Sequence, residues 1–311
     1  MRKDVIGLKT LRPDVAYPLL FFGVLALSTS GIFAVIADAP PSITAGYRLL
    51  FAALFISPAL FMYRSRLVEL KHLSTKDWWL ILLSGLFLAG HYTLWFESLR
   101  FTSVASSVVL VTLQPLFAFI GGYFFFHERL TRQMAIGGLM AIAGSALIGW
   151  HDFQVNGWAL FGDLLALLAA GIITGYFLVG QKMRKHLSLI PYTLIGYGSS
   201  AVFLFAFSFG TRVPVFHYPL RDWLCFLGLA LISTIMGQMI FNYLLKWMNA
   251  ATISMSILGE PVGTCLLAYF LLHQGVSMQQ FIGILIILAG IAIFLFRPAP
   301  KRQAPHQKNI I

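Results

Sequence analysis

Apolar residues fall in ten long runs broken by short polar joints. They cover 16–37, 41–63, 78–98, 103–126, 133–150, 158–181, 191–210, 223–245, 250–272 and 278–296. A helix of about 20 apolar residues spans the hydrocarbon core of a bilayer, so the pattern predicts ten transmembrane helices and an all-α chain. Turn-forming residues punctuate the joints: Pro40-Pro41, Asn156-Gly157, Pro191, Pro214 and Gly275. Trp78, Trp79, Trp150, Trp158, Trp223 and Trp247 stand near span ends, where indole rings favour the membrane–water interface.

Composition agrees with this reading. Of 311 residues, 59% are hydrophobic and 11% charged, Phe occurs 28 times, and the mean hydropathy is +0.82. A soluble domain carries roughly 25% charged residues. A soluble enzyme, a disulfide scaffold and a disordered chain are thereby excluded. Cys225 and Cys265 lie within apolar runs without a CxxC or histidine partner, which reads as packing rather than metal or redox chemistry.

The net charge of +11 reflects membrane sidedness rather than nucleic-acid binding. With a cytoplasmic N-terminus, 18 Lys and Arg fall in inner segments and three (Arg100, Arg212, Arg221) in outer ones. That asymmetry places both termini in the cytoplasm, in an inner or plasma membrane. Ala37-Asp38-Ala39 resembles a signal cleavage site, but the apolar run before it is too long. Residues 1–15 form a short cytoplasmic segment, and the Pro- and Lys-rich tail 298–311 reads as disordered.

The chain also repeats itself. Residues 100–150 align without a gap on 246–296 at an offset of 146, with 12 identities in 51 positions. They include Pro115/Pro261, His127/His273, Gln133/Gln279, Gly137/Gly283 and Gly144/Gly290. Two five-span repeats follow, 16–150 and 151–297, and an odd span number forces them into opposite orientations. The loop His127-Glu128-Arg129-Leu130-Thr131-Arg132 should face the cytoplasm, whereas its copy from His273 to Met278 has lost both arginines. Inverted repeats are characteristic of secondary transporters with a substrate site between the halves.

Residues 98–144 read S-L-x-x-T-S-V-A-S-S-V-V-L-V-x-x-x-P, then H-E-R-L-T, then I-G-G-x-x-x-x-x-G. With Arg48 and Leu258-Gly259-Glu260-Pro261-Val262, this resembles the EamA-type family of the drug/metabolite transporter superfamily over all ten spans. The copy departs where His273-Gln274-Gly275 lacks the acidic residue. The resemblance implies a ten-helix exporter or exchanger of small metabolites, often amino acids or amphipathic compounds.

Ionisable and amide groups at membrane depth are costly and mark functional sites. Glu260 precedes Pro261 near the middle of the ninth span; it reads as a proton-coupling or amine-binding group, or as a structural acid paired with Arg48. Gln114, before Pro115, occupies the matched position without the charge. Both prolines should kink their helices and free a carbonyl. Arg48, in the second span, suits a substrate carboxylate or an ion pair with Glu260 or Asp38. His91, with Trp95 one turn on, is a substrate or proton group or an interhelical donor. Asn242, with Gln238 and Tyr243, lines a cavity or bridges helices. Asp163 and Glu97 lie near the outer surface, and the seven-residue glycine spacing is a packing device.

The chain lacks GxSxG, HExxH and Walker A sequences, which argues against an intramembrane enzyme and a pump. A single buried acid argues poorly for a channel. The expected partners are a small-molecule substrate, the lipid bilayer and a proton as coupling ion, with no nucleic acid, cofactor or metal. Multidrug export and uncoupled facilitation compete with metabolite export, and the assembly is a monomer or homodimer.

Overall fold

The computed structural model describes residues 13–62, 64–98, 100–102, 107, 110–149, 157–272, 275 and 277–295. The regular elements among the described residues are helices: α1 (Pro13–Ile36), α2 (Pro41–Met62), the short α3 (Arg64–Lys71), α4 (Thr75–Ser98), α5 (Gln114–Phe126), α6 (Arg132–Gly149), α7 (Gly157–Met183), α8 (Leu189–Gly210), α9 (Leu220–Gly228), α10 (Met239–Leu244), α11 (Ala250–Ile257), α12 (Glu260–Leu272) and α13 (Met278–Leu295). A π-helical segment, Leu229–Gln238, joins α9 to α10 as one span, Leu220–Leu244. Segment 1–12, the tail from Pro298, His273, Gln274 and 103–106 of the fourth expected span lie outside the described residues.

Among the described residues, eight helices are long and apolar enough to cross a membrane. At the fourth and fifth expected positions the described residues include the shorter apolar helices Gln114–Phe126 and Arg132–Ile148, and 103–106, 108 and 109 of the fourth lie outside the described residues. Local sequence accounts for several ends. Ser74 and Asp77 form a reciprocal cap before α4, with the Ser74 hydroxyl 2.7 Å from the Asp77 carboxylate and the Asp77 N–H 3.2 Å from the hydroxyl. Ser277 and Gln280 do the same before α13. Asn249 caps α11 by accepting from the Thr252 N–H at 2.9 Å.

Pro115 and Pro261 do more than kink continuous spans. The α-helical run stops in a turn at Thr112-Leu113 and at Leu258-Gly259, then restarts at Gln114 and Glu260. Each proline thus sits second in a new helix, where a missing N–H costs nothing. Gln114 and Glu260 head these helices at the breaks.

Helices α6 and α13 pack tightly against each other. A Cβ on Gly137 would come within 2.6 Å of the Gly290 carbonyl, and one on Gly144 within 2.7 Å of the Gly283 carbonyl. Only glycine permits this approach. Gln133 Nε2 donates to the Ile293 carbonyl at 2.6 Å, and Gln279 Nε2 to the Leu147 carbonyl at 2.8 Å. The main core lies elsewhere, where α2, α4, α7, α8 and α10 bury Leu49, Leu88, Tyr176, Tyr197, Leu204 and Phe241. Phe21, Phe125, Phe209 and Phe270 stand on the outside, between 69% and 75% exposed. Water would penalise such a surface, and lipid tails would not.

Candidate functional site

Arg48 projects from α2 into the interior and is 3% exposed. Its Nε donates to Thr234 Oγ1 at 2.6 Å and its Nη1 to Ser30 Oγ at 3.0 Å. The Tyr92 ring lies 5.1 Å from the guanidinium carbon, a cation–π distance. Nη2 has no partner. Leaving a buried donor unpaired costs about 1–3 kcal/mol, more for a charged group. Asp38 is not its counterion: that carboxylate lies in the joint before α2 and pairs with Arg221, while the Asp38 N–H donates to Asp222 Oδ1 at 3.1 Å.

Glu260 heads α12 beside α1. Ser28 Oγ donates to its backbone carbonyl at 3.1 Å, and no described residue makes a hydrogen bond or ion pair with its carboxylate. Arg48 forms no ion pair with it within 4.0 Å, its described partners being Thr234 and Ser30. Ser28 and Ser30, two residues apart on α1, thus hold the Glu260 backbone and the Arg48 side chain.

His91 Nδ1 meets the Ala169 carbonyl of α7 at 3.1 Å; a carbonyl only accepts, so the imidazole donates there. Its ring stacks on Trp95 at 5.9 Å, and Trp95 on Phe96 at 4.9 Å. Trp95 Nε1 is buried without a partner. Gln114 belongs to the α5–α7 contact, where its backbone carbonyl accepts from Thr174 at 3.1 Å and its Nε2 is unpaired. Gln238 Oε1 accepts from the Tyr92 hydroxyl at 3.3 Å.

Asn242 is fully buried among tyrosines. Its Nδ2 donates to Tyr176 at 2.6 Å and to Tyr197 at 3.0 Å. The Asn242 backbone carbonyl accepts from Arg184 Nε at 3.0 Å, and the Leu187 carbonyl from Arg184 Nη1. Desolvation pulls the Arg184 guanidinium down to about 10, so it stays charged at neutral pH. Arg184 is one of the 18 cations that the charge pattern assigned to inner segments; the structure buries it to 3%.

A third polar cluster involves Glu128. Its Oε1 accepts from Gln181 Nε2 at 2.7 Å and its Oε2 from Asn249 Nδ2 at 2.8 Å. Gln181 Oε1 accepts from the Ala250 N–H at 2.6 Å. The loop after α5 is thereby tied to the end of α7 and the start of α11. A cleft of about 270 Å³ opens beside it, lined by Phe119, Tyr123, Met134 and Ala251.

The structure groups Arg48 with Ser30, Thr234 and Tyr92, and stacks His91 on Trp95. It sets Asn242 in a separate cluster. Sequence reasoning missed Ser30, Thr234 and the Glu128 cluster. The signals were the polar run Ser28-Thr29-Ser30, the pair Ser233-Thr234 and the loss of the acid in the second loop.

The sequence profile described as the EamA-like transporter family matches residues 15–150 and again 160–296. The uncharacterized transporter YoaV of Bacillus subtilis strain 168 is 26% identical over 265 residues, covering 84% of this chain and 89% of its own. An uncharacterized transporter of Archaeoglobus fulgidus is 25% identical, covering 88% and 94%. A crystal structure sharing 18% identity superposes with a TM-score of 0.76, covering 90% of this chain and 97% of its own. At that identity the likeness speaks for the fold alone.

Proposed function

The chain belongs to the EamA-like transporter family, and from that premise we propose that it exports small zwitterionic metabolites, amino acids being the simplest, by alternating access. The family and the apolar helices make it an integral membrane protein with a small-molecule substrate. The observation that carries the finer reading is the state of two opposite charges, the buried Arg48 and the half-buried Glu260. Arg48 keeps Nη2 unpaired, and the Glu260 carboxylate has no hydrogen-bond partner. A zwitterion supplies a carboxylate to the first and an ammonium to the second.

The remaining features fit this cycle. Gln133 pairs with Ile293 and Gln279 with Leu147; each second contact is the first with both partners exchanged at the 146-residue offset. This mutual exchange supports two inverted halves, 16–150 and 151–297. The positive-inside pattern supports ten spans in a plasma membrane with both termini cytoplasmic. Glu260, at a helix break, is suited to exchange a proton for substrate. Glu128, Gln181 and Asn249 close the cytoplasmic end. The aromatic stack His91–Trp95–Phe96 favours a second reading, export of cationic drugs, in which Glu260 suffices and Arg48 is dispensable.

The test is counterflow in proteoliposomes with radiolabelled L-leucine and L-phenylalanine, and ethidium as the cationic probe. Arg48→Ala should reduce amino-acid counterflow roughly 10- to 100-fold, the scale of a lost charge-assisted hydrogen bond. Wild-type amino-acid counterflow in that variant would refute the zwitterion reading. Ethidium transport unaffected by Arg48→Ala, with no amino-acid counterflow in the wild type, would establish the second.

A further inference from the structure

A guanidinium ordinarily grips a carboxylate with two neighbouring nitrogens. Arg48 has both its forks half-occupied. Nε is taken by Thr234 and Nη1 by Ser30, which leaves Nη2 as the one nitrogen without a partner.

The Thr234 hydroxyl accepts from Nε and donates to the Leu229 carbonyl at 2.9 Å. Its single proton is thus committed, and the oxygen presented to Arg48 is a fixed acceptor. Leu229 stands five residues before Thr234, the spacing that characterises π-helical winding. The same segment ends at Gln238, which accepts from the Tyr92 hydroxyl, and the Tyr92 ring lies against the guanidinium. Leu229–Gln238 therefore supports Arg48 twice, at Nε directly and at its face through Tyr92.

We propose that Thr234 is a positioning residue: the π-helical segment holds its hydroxyl against Nε of Arg48, so that Nη2 is the nitrogen turned to the substrate carboxylate. This rests on the reading of Arg48 as the carboxylate's partner. Thr234 touches no substrate in this scheme and acts by aiming the guanidinium. Valine matches threonine in shape and removes only the hydroxyl; serine keeps it.

The experiment measures KM and Vmax for L-leucine and L-phenylalanine counterflow in proteoliposomes of purified full-length Thr234→Val, Thr234→Ser and Arg48→Lys, each matched for reconstituted protein. Thr234→Val should raise KM roughly tenfold with Vmax within about twofold, the scale of one hydrogen bond to a charged group. Thr234→Ser should restore KM, which a purely structural role would not produce. An unchanged KM in Thr234→Val beside a raised KM in Arg48→Lys overturns the positioning role and leaves the reading of Arg48 intact. An equal loss of Vmax in the valine and serine variants, without a KM change, also overturns it. An unchanged KM in Arg48→Lys, or no counterflow of either amino acid by the wild type, overturns the parent reading and this one with it.

Discussion

Arg48 and Arg184 are equally buried, each 3% exposed, yet their donors meet different kinds of partner. Arg184 spends Nε and Nη1 on the carbonyls of Asn242 and Leu187, backbone acceptors with no other donor to choose. It ties the start of the α7–α8 joint to α10. Arg48 is held by two hydroxyls and leaves Nη2 empty. Burial therefore does not separate a structural cation from a functional one. A buried donor left without a partner, as Arg48 Nη2 is, costs stability and persists where a ligand completes it.

The Glu128 cluster tests that lesson hardest, because both its carboxylate oxygens are satisfied and the proposed alternating-access cycle has it open. A Glu128→Cys/Asn249→Cys pair bridged by a short bifunctional methanethiosulfonate should lose essentially all counterflow and recover it on reduction. Full transport in the bridged protein would show that the proposed cycle opens elsewhere.

The next effect concerns stability. Arg184→Ala strands two buried carbonyls and should lower Tm in detergent on the order of 5–10 °C. Arg48→Ala removes a charge without a paired carboxylate and should shift Tm by less than about 2 °C, or raise it. Equal losses in the two variants would erase the distinction between the arginines. On counterflow, Glu260→Gln should have a smaller effect than Arg48→Ala, because it removes the charge and the ionisable proton but keeps an amide oxygen to accept from the ammonium. Counterflow should fall about tenfold while accumulation driven by a pH gradient disappears. Unchanged accumulation would make Glu260 structural and transport uncoupled.

Helix-forming runs, the 146-residue offset and the places of Pro115 and Pro261 were legible along the chain, although the prolines read as kinks and the structure makes them helix restarts at Gln114 and Glu260. Each depends on residues close in sequence or on one constant offset. The Gly137/Gly144 and Gly283/Gly290 faces were legible as packing surfaces for the same reason, because seven residues complete nearly two helical turns. The partners of Arg48 were not. Ser30 lies 18 residues away and Thr234 lies 186 away, and their meeting depends on how α1 and a π-wound span are rotated against α2. A polar residue in an apolar run announces that it needs a partner but not which one. Glu128 meets Gln181 and Asn249 across 53 and 121 residues, and Arg184 changed from a loop charge to a buried clamp through the packing of α7 on its neighbours. Membrane spans follow from local hydropathy because each helix satisfies its own backbone. Side-chain partners follow from interhelical register, which exists only once the helices have packed.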